Sequence, residues 1–190
     1  MDMKIILAVV AVVLVGFYIL YTRVIRCRNK VQESMADIDV QLKKRYDLIP
    51  NMLHMAAKFM EHEKNIMMQL AEVRTKAMET TFVGSPQEKM QIESQLNQKL
   101  QNFKFSLENY PDLKSNQTMI TAMQSMNEVE EHIAAARRFY NANVNELKNM
   151  CEIFPSSLVA SILGISWQKT PFFEVAEAER QPISSKDYFK

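Results

Sequence analysis

The hydrophobic pattern of this chain changes character once, just past residue 22. From Ile5 to Thr22 the stretch "IILAVVAVVLVGFYILYT" carries no charge. As a helix rising ~1.5 Å per residue it is about 27 Å long, close to the hydrocarbon thickness of a bilayer. A cleaved secretory signal is the competing reading, but it requires a shorter apolar stretch and small residues at a cleavage site. Here the run closes on Phe17, Tyr18 and Tyr21, residue types that favour the membrane interface. The expectation is an uncleaved anchor spanning Ile5 to Thr22.

Beyond it the apolar positions become periodic. Val31, Met35, Ile38, Leu42, Ile49, Leu53, Ala56, Met60, Met67, Leu70, Val73 and Ala77 follow one another mostly in steps of three, four or seven, the stripe of a helix. Nothing between Thr22 and Val31 breaks a helix, so the span is free to run on into this segment. A rod from Ile5 to about Glu79 would be on the order of 110 Å long. Ser85, Pro86 and Glu88 then spell a helix start, with Ser85 as the cap and Glu88 at the capping-box position. The next stripe is Ile92, Leu96, Leu100, Phe103 and Leu107, ending near Tyr110-Pro111. "PDLKSNQT" reads as a turn. A further helix runs from about Gln117 through Ile133, Tyr140, Val144 and Leu147 to Phe154, where Pro155 stops or kinks it. "SSLVASILGISWQ" makes a short fourth helix, and the tail after Thr170 has weak periodicity.

The predicted fold class is therefore all-α. An N-terminal transmembrane helix, continuous with the first helix of the soluble part, leads into an antiparallel bundle of three to four helices. The organisation is an anchor with its basic flank over 1–30, a helical bundle over 31–170 and a C-terminal tail over 171–190. Composition agrees: only three glycines and six prolines are too few for a sandwich or barrel. The fourteen methionines suit irregular gaps between helices, and also adaptable binding surfaces.

Charge adds orientation. Lys and Arg number 23 against 22 Asp and Glu, so no broad basic face exists to attract nucleic acid. The local asymmetry is sharper. Arg23, Arg26, Arg28 and Lys30 follow the span, whereas Lys4 before it is offset by Asp2. Positive charge stays inside, so the bundle is expected on the cytoplasmic side and the N-terminus outside. The same four cations suit anionic lipid head groups, although setting topology is role enough for them.

Candidate catalytic chemistry is sparse. His54, His62 and His132 have no glutamate three residues before them, as a bundle di-iron site requires, and "HEKNI" lacks the second histidine of a zinc-protease motif. Cys27 lies beside the membrane and Cys151 on an apolar stripe; the two are far apart in sequence and make no disulfide framework. No Gly-x-Ser-x-Gly and no glycine-rich phosphate loop occurs. Neither a metal nor another cofactor is expected.

Several separated motifs carry a family resemblance. "VQLKKRYDLIPNM", His62-Glu63, "ENYPDLKSNQ", "EEHIAAARRFYNANVNELKN" and "FPSSLVASILGI" together resemble the LemA family in order and spacing, over nearly the whole chain. The positions most typical of that pattern are Gln41, Arg45, Asp47, Leu48, Pro50 and Asn51, then Tyr110, Pro111, Leu113 and Asn116, then Ala136, Arg137, Tyr140 and Asn141. Ser115 and the methionine excess depart from it. The resemblance implies a bacterial single-span protein with an antiparallel helical bundle, and it implies no enzymatic activity.

Those positions also make physical sense as architecture. A polar network of Arg45, Asp47, Arg137, Tyr140 and Asn141 would fix helix register, with solvated surface charges as the alternative. Pro50 removes the amide that would bond the carbonyl of Tyr46, so a bend or loosened turn is expected there. The function expected is a non-catalytic membrane-anchored scaffold that associates with copies of itself. The alternative is an adaptor recruiting an unidentified protein through a Met-rich face of Met52, Met55, Met60, Met67 and Met68. The partners expected are the lipid bilayer and further copies of the chain, and no nucleic acid.

Overall fold

The computed structural model describes residues 3–82 and 85–173, and no strand occurs among them. Helix α1 spans Met3–Ala56, α2 Lys64–Glu79, α3 Pro86–Leu107, α4 Pro111–Lys114, α5 Gln117–Glu152 and α6 Ser156–Ile162. Single 3-10 turns occur at Glu61–Glu63 and Trp167–Lys169. The fold is an all-α helical bundle with one long apolar N-terminal helix. It divides into two compact units, one built from α1 up to Leu48 with Met123–Pro171, the other from Ile49–Ala122 with Phe172 and Phe173.

In the first unit α1 and α5 run antiparallel. Lys30 pairs with Glu146 at 3.5 Å and Arg45 with Glu130 at 3.1 Å, so position rises along one helix as it falls along the other. Val24, Cys27, Val31, Ile38 and Leu42 are buried on α1, in steps of three, four or seven that keep one face inward. Met126, Val129, Ile133, Tyr140, Val144 and Leu147 are buried on α5. The apolar run behaves differently: its most hydrophobic stretch is long enough to cross a membrane, and none of its residues is buried.

Helix α6 closes this unit beside the end of the apolar run. Val159 and Ala160 form a core cluster with Val24, and Leu20, Met150, Cys151, Leu163 and Ile165 pack against it. Gly164 makes the closure possible. Its φ of 64° lies in the left-handed region, where the Ile165 amide donates to the Ala160 carbonyl and the Gly164 amide to Ser161. This is the Schellman end of a helix, and it folds Ile165 back onto the cluster.

In the second unit α2 and α3 run antiparallel. Lys99 Nζ donates to Gln69 Oε1 at 2.7 Å, and Lys89 Nζ donates to the Ala77 carbonyl. Lys89 also pairs with Glu93 at 3.1 Å, both side chains almost fully buried. Phe82 meets Phe173 edge-on with ring centroids 5.5 Å apart.

Three expectations need correction. The rod does not reach Glu79: α1 ends at Ala56, the amides of Lys58 and Phe59 tighten the last turn, and Met60 leaves helical geometry at φ −113°, ψ 53°. No Gly or Pro marks this break. The seven-residue step from Met60 to Met67 stays in phase with a helix, so the hydrophobic pattern conceals it. The segment "PDLKSNQT" is more than a turn, because Pro111–Lys114 is one turn of helix begun by proline at its first position. Ser85 makes no side-chain cap on α3; at φ −145°, ψ 73° it contributes only its carbonyl, to the Lys89 amide. Of the tail over 171–190, only Pro171, Phe172 and Phe173 lie among the described residues.

Candidate functional site

Arg23, Arg26 and Lys30 lie three, four and seven residues apart, so α1 presents them on one face. With Cys27 from α1 and Glu146 and Met150 from α5 they line a groove of about 350 Å³ just past the end of the apolar run. The three cations are exposed. Arg28 is exposed as well but does not line the groove; its Nη2 donates to Asn29 Oδ1. Lys30 and Glu146 form the groove's own ion pair, about half exposed at both partners, so water screens it and its contribution to stability is small. A guanidinium fork suits phosphate oxygens in two-point contact, and two such forks and an ammonium converge here.

Cys27 lines the groove and is itself buried. Burial first, then the carboxylate of Glu146, push its thiol up to about 11. Burial likewise raises the Cys151 thiol, which donates to the Ile165 carbonyl at 3.7 Å. Among the described residues no group of three or more His, Cys, Asp or Glu side chains comes together in a form able to hold a metal ion. His54, His62 and His132 are all exposed.

A second polar locus lies deeper along the same two helices. Arg45 is completely buried, and its Nη1 donates to Glu130 Oε1 at 3.1 Å. Tyr46 beside it is buried too, and desolvation pushes its phenol up to about 12, against the opposing fields of Arg45 and Arg137. Arg45 and Arg137 thus share one neighbourhood. Tyr140, also fully buried, makes a separate contact: its hydroxyl donates to the Pro171 carbonyl at 3.2 Å, and burial raises its phenol to about 12. Asn141 is half-buried. Asp47 stands apart from the buried pair, exposed and bridged to Lys43 one turn earlier on its own helix.

The motifs that carry Arg45, Tyr110 and Arg137 sit within one continuous match: residues 34–186 match the model of the LemA family. The chain belongs to the LemA family. No curated protein matches it. The LemA match begins after Lys30, so the cations of the groove precede it. Within it, several typical positions have structural work. Asn116 caps α5, its Oδ1 accepting from the amides of Thr118 at 3.0 Å and Met119 at 3.3 Å. Pro111 opens α4, and Leu113 is fully buried. Pro50 is exposed and lies inside α1, six residues before its end, without terminating it.

The Met-rich face does not survive as one surface in this LemA protein. Met52 and Met60 are core residues, Met55 and Met67 are half-buried, and only Met68 of the five is exposed. Sequence reasoning missed the Lys89–Glu93 pair, Tyr46, the cap at Asn116 and Asn143, whose Nδ2 donates to the Lys30 carbonyl at 3.5 Å. Only Asn116 had a readable signal, an Asn placed directly before a helix.

Proposed function

We propose that this LemA-family protein is a non-catalytic, membrane-anchored helical scaffold that associates with copies of itself at the bacterial cytoplasmic membrane. The observation that carries the reading is the continuity of α1. One helix runs from an apolar stretch with no buried residue, through the cations of the groove, into the core beside α5. An anchor joined in this way holds the soluble helices in a fixed pose relative to the bilayer. Copies sharing one membrane then present the same faces to one another, the geometry that side-by-side packing requires. Exposed apolar side chains away from the span, Val40 on α1 and Phe139 on α5, supply contact surface for it.

The test is the mass of the full-length chain purified in mild detergent, measured by light scattering across a concentration series. A particle several protomers in size supports the reading, and Phe139→Glu is expected to reduce it. A clean monomer at the highest concentration overturns it. Metal analysis of the same sample tests the non-catalytic part, since stoichiometric iron or zinc would revive an enzymatic reading.

A further inference from the structure

From Ile153 to Gln168 the chain carries no charged residue, although charged residues make up 24% of the whole. Helix α6 sits inside that stretch and is apolar on two sides. Ser156, Val159 and Ala160 are buried, and Leu163 follows on the same face in helical spacing. On the other side Leu158 and Ile162, four residues apart, are 58% and 72% exposed, and Phe154 in the turn just before the helix is 74% exposed. A soluble helix of this length ordinarily pairs an apolar face with a polar one.

The level at which α6 docks explains the second apolar face. Its core contacts are Leu20, in the last turn of the apolar run, and Val24, in the first turn beyond it. If Ile5 to Thr22 crosses a bilayer, that level is the boundary between acyl chains and head groups. The neighbouring chemistry matches the same layer. Arg23, Arg26 and Lys30 line the groove there. Trp167, an aromatic with one apolar body and one polar tip, sits under Lys148 Nζ at 4.7 Å from its ring centre.

We propose that α6 is an interfacial element, and that Phe154, Leu158 and Ile162 enter the boundary layer of the same membrane that α1 spans. Amphipathic elements of this kind sink about 5–10 Å into that layer. The occupant of the exposed stripe is lipid, because the stripe lies at lipid depth, carries no charge to desolvate, and stands beside cations placed for phosphate head groups. This inference rests on the reading of α1 as a membrane anchor.

The experiment uses the full-length chain in vesicles of phosphatidylcholine and phosphatidylglycerol. Trp167→Phe removes the single tryptophan, and one new tryptophan is introduced as Phe154→Trp, Leu158→Trp or, as a reference inside the span, Val12→Trp. Fluorescence is quenched with lipids brominated at the headgroup end or the methyl end of their acyl chains, and with acrylamide in the water. The expected result is a blue-shifted Phe154→Trp and Leu158→Trp emission that bromine near the head groups quenches more than bromine near the methyl ends. Val12→Trp is expected to show the reverse order. If Val12→Trp is quenched by lipid while the α6 positions respond only to acrylamide, α6 faces water and the proposal fails, with the anchor intact. If the α6 positions are shielded from both quenchers, a second copy of the chain covers them and the lipid assignment is wrong. If Val12→Trp escapes lipid quenching too, the anchor reading fails and takes this inference with it.

Discussion

Arg45 is the largest fully buried side chain among the described residues, and it is a cation. Its carboxylate partner Glu130 keeps 30% of its side chain accessible, so water offsets part of the cost of burying the pair. Arg45→Leu is expected to lower unfolding stability by about 1–3 kcal/mol, the range for a lost charge-assisted hydrogen bond. Glu130→Gln should cost less. Urea titration of the full-length protein in detergent measures both, and an unchanged midpoint for Arg45→Leu would show that the pair only fills space. Alkaline pH probes the same neighbourhood. Tyr46 titrates near 10 when unfolded and near 12 when folded, so the native state favours its neutral form. Its contribution to stability is complete below pH 10 and is lost as pH rises from 10 towards 12. The stability gap between wild type and Tyr46→Phe should therefore shrink over that window, as melting curves at stepped pH will report. Burial at this scale was partly legible. Arg45 falls between Leu42 and Ile49 on the apolar stripe, which marks it as a buried polar group. Lys89 and Glu93 were not legible: they continue the stripe of Leu96, Leu100 and Phe103 inward, yet hydropathy assigns both to the surface and prefers Ile92, which is only half-buried.

Elements are fixed by their ends as much as by their stripes. Asn116 satisfies two of the amides that α5 leaves open, and Asn116→Ala should destabilise the protein by about 1 kcal/mol, the usual worth of such a cap. Asn116→Ser should restore most of that loss, which urea midpoints of the two variants will test. Helix starts with a chemical signature were readable at Pro86 and at the entry to α5, whereas the helical turn begun by Pro111 was read as a plain turn. The end of α1 was not readable, because no glycine or proline announces it. There the chain leaves helical geometry at Met60, a fully buried side chain, α2 begins at Lys64, and the stripe resumes in phase at Met67. Tertiary packing decides such a boundary, and a one-dimensional pattern contains no record of it. Pro50 shows the opposite case, a residue type that breaks helices, placed inside one that does not end there. It lies two residues past the limit of the first compact unit, inside a helix that continues through it.

At the scale of the whole molecule the proposed anchor and its flank predict a direction. Arg23, Arg26, Arg28 and Lys30 all follow the apolar run, and positive flanks stay on the cytoplasmic side. A fluorescent protein fused after Lys190 is expected to mature, and an alkaline phosphatase fused there to be inactive; the opposite pair of results would invert the orientation. Family membership and the helical architecture were legible because several motifs recur in order along most of the chain. The placement of α6 was not, since only the folded contacts bring Val159 and Ala160 to Val24. The unbroken passage of α1 through the end of the apolar run has a mechanical meaning. Thr22 and Leu48 are joined by helix alone, at ~1.5 Å per residue a lever of about 39 Å. Spans tilt to fit the thickness of their bilayer, by 0–40° in general, and a change of about 10° at Thr22 swings Leu48 through about 7 Å. With α1 anchored as proposed, a thinning or thickening membrane would move the far end of the first unit as a needle moves over a dial.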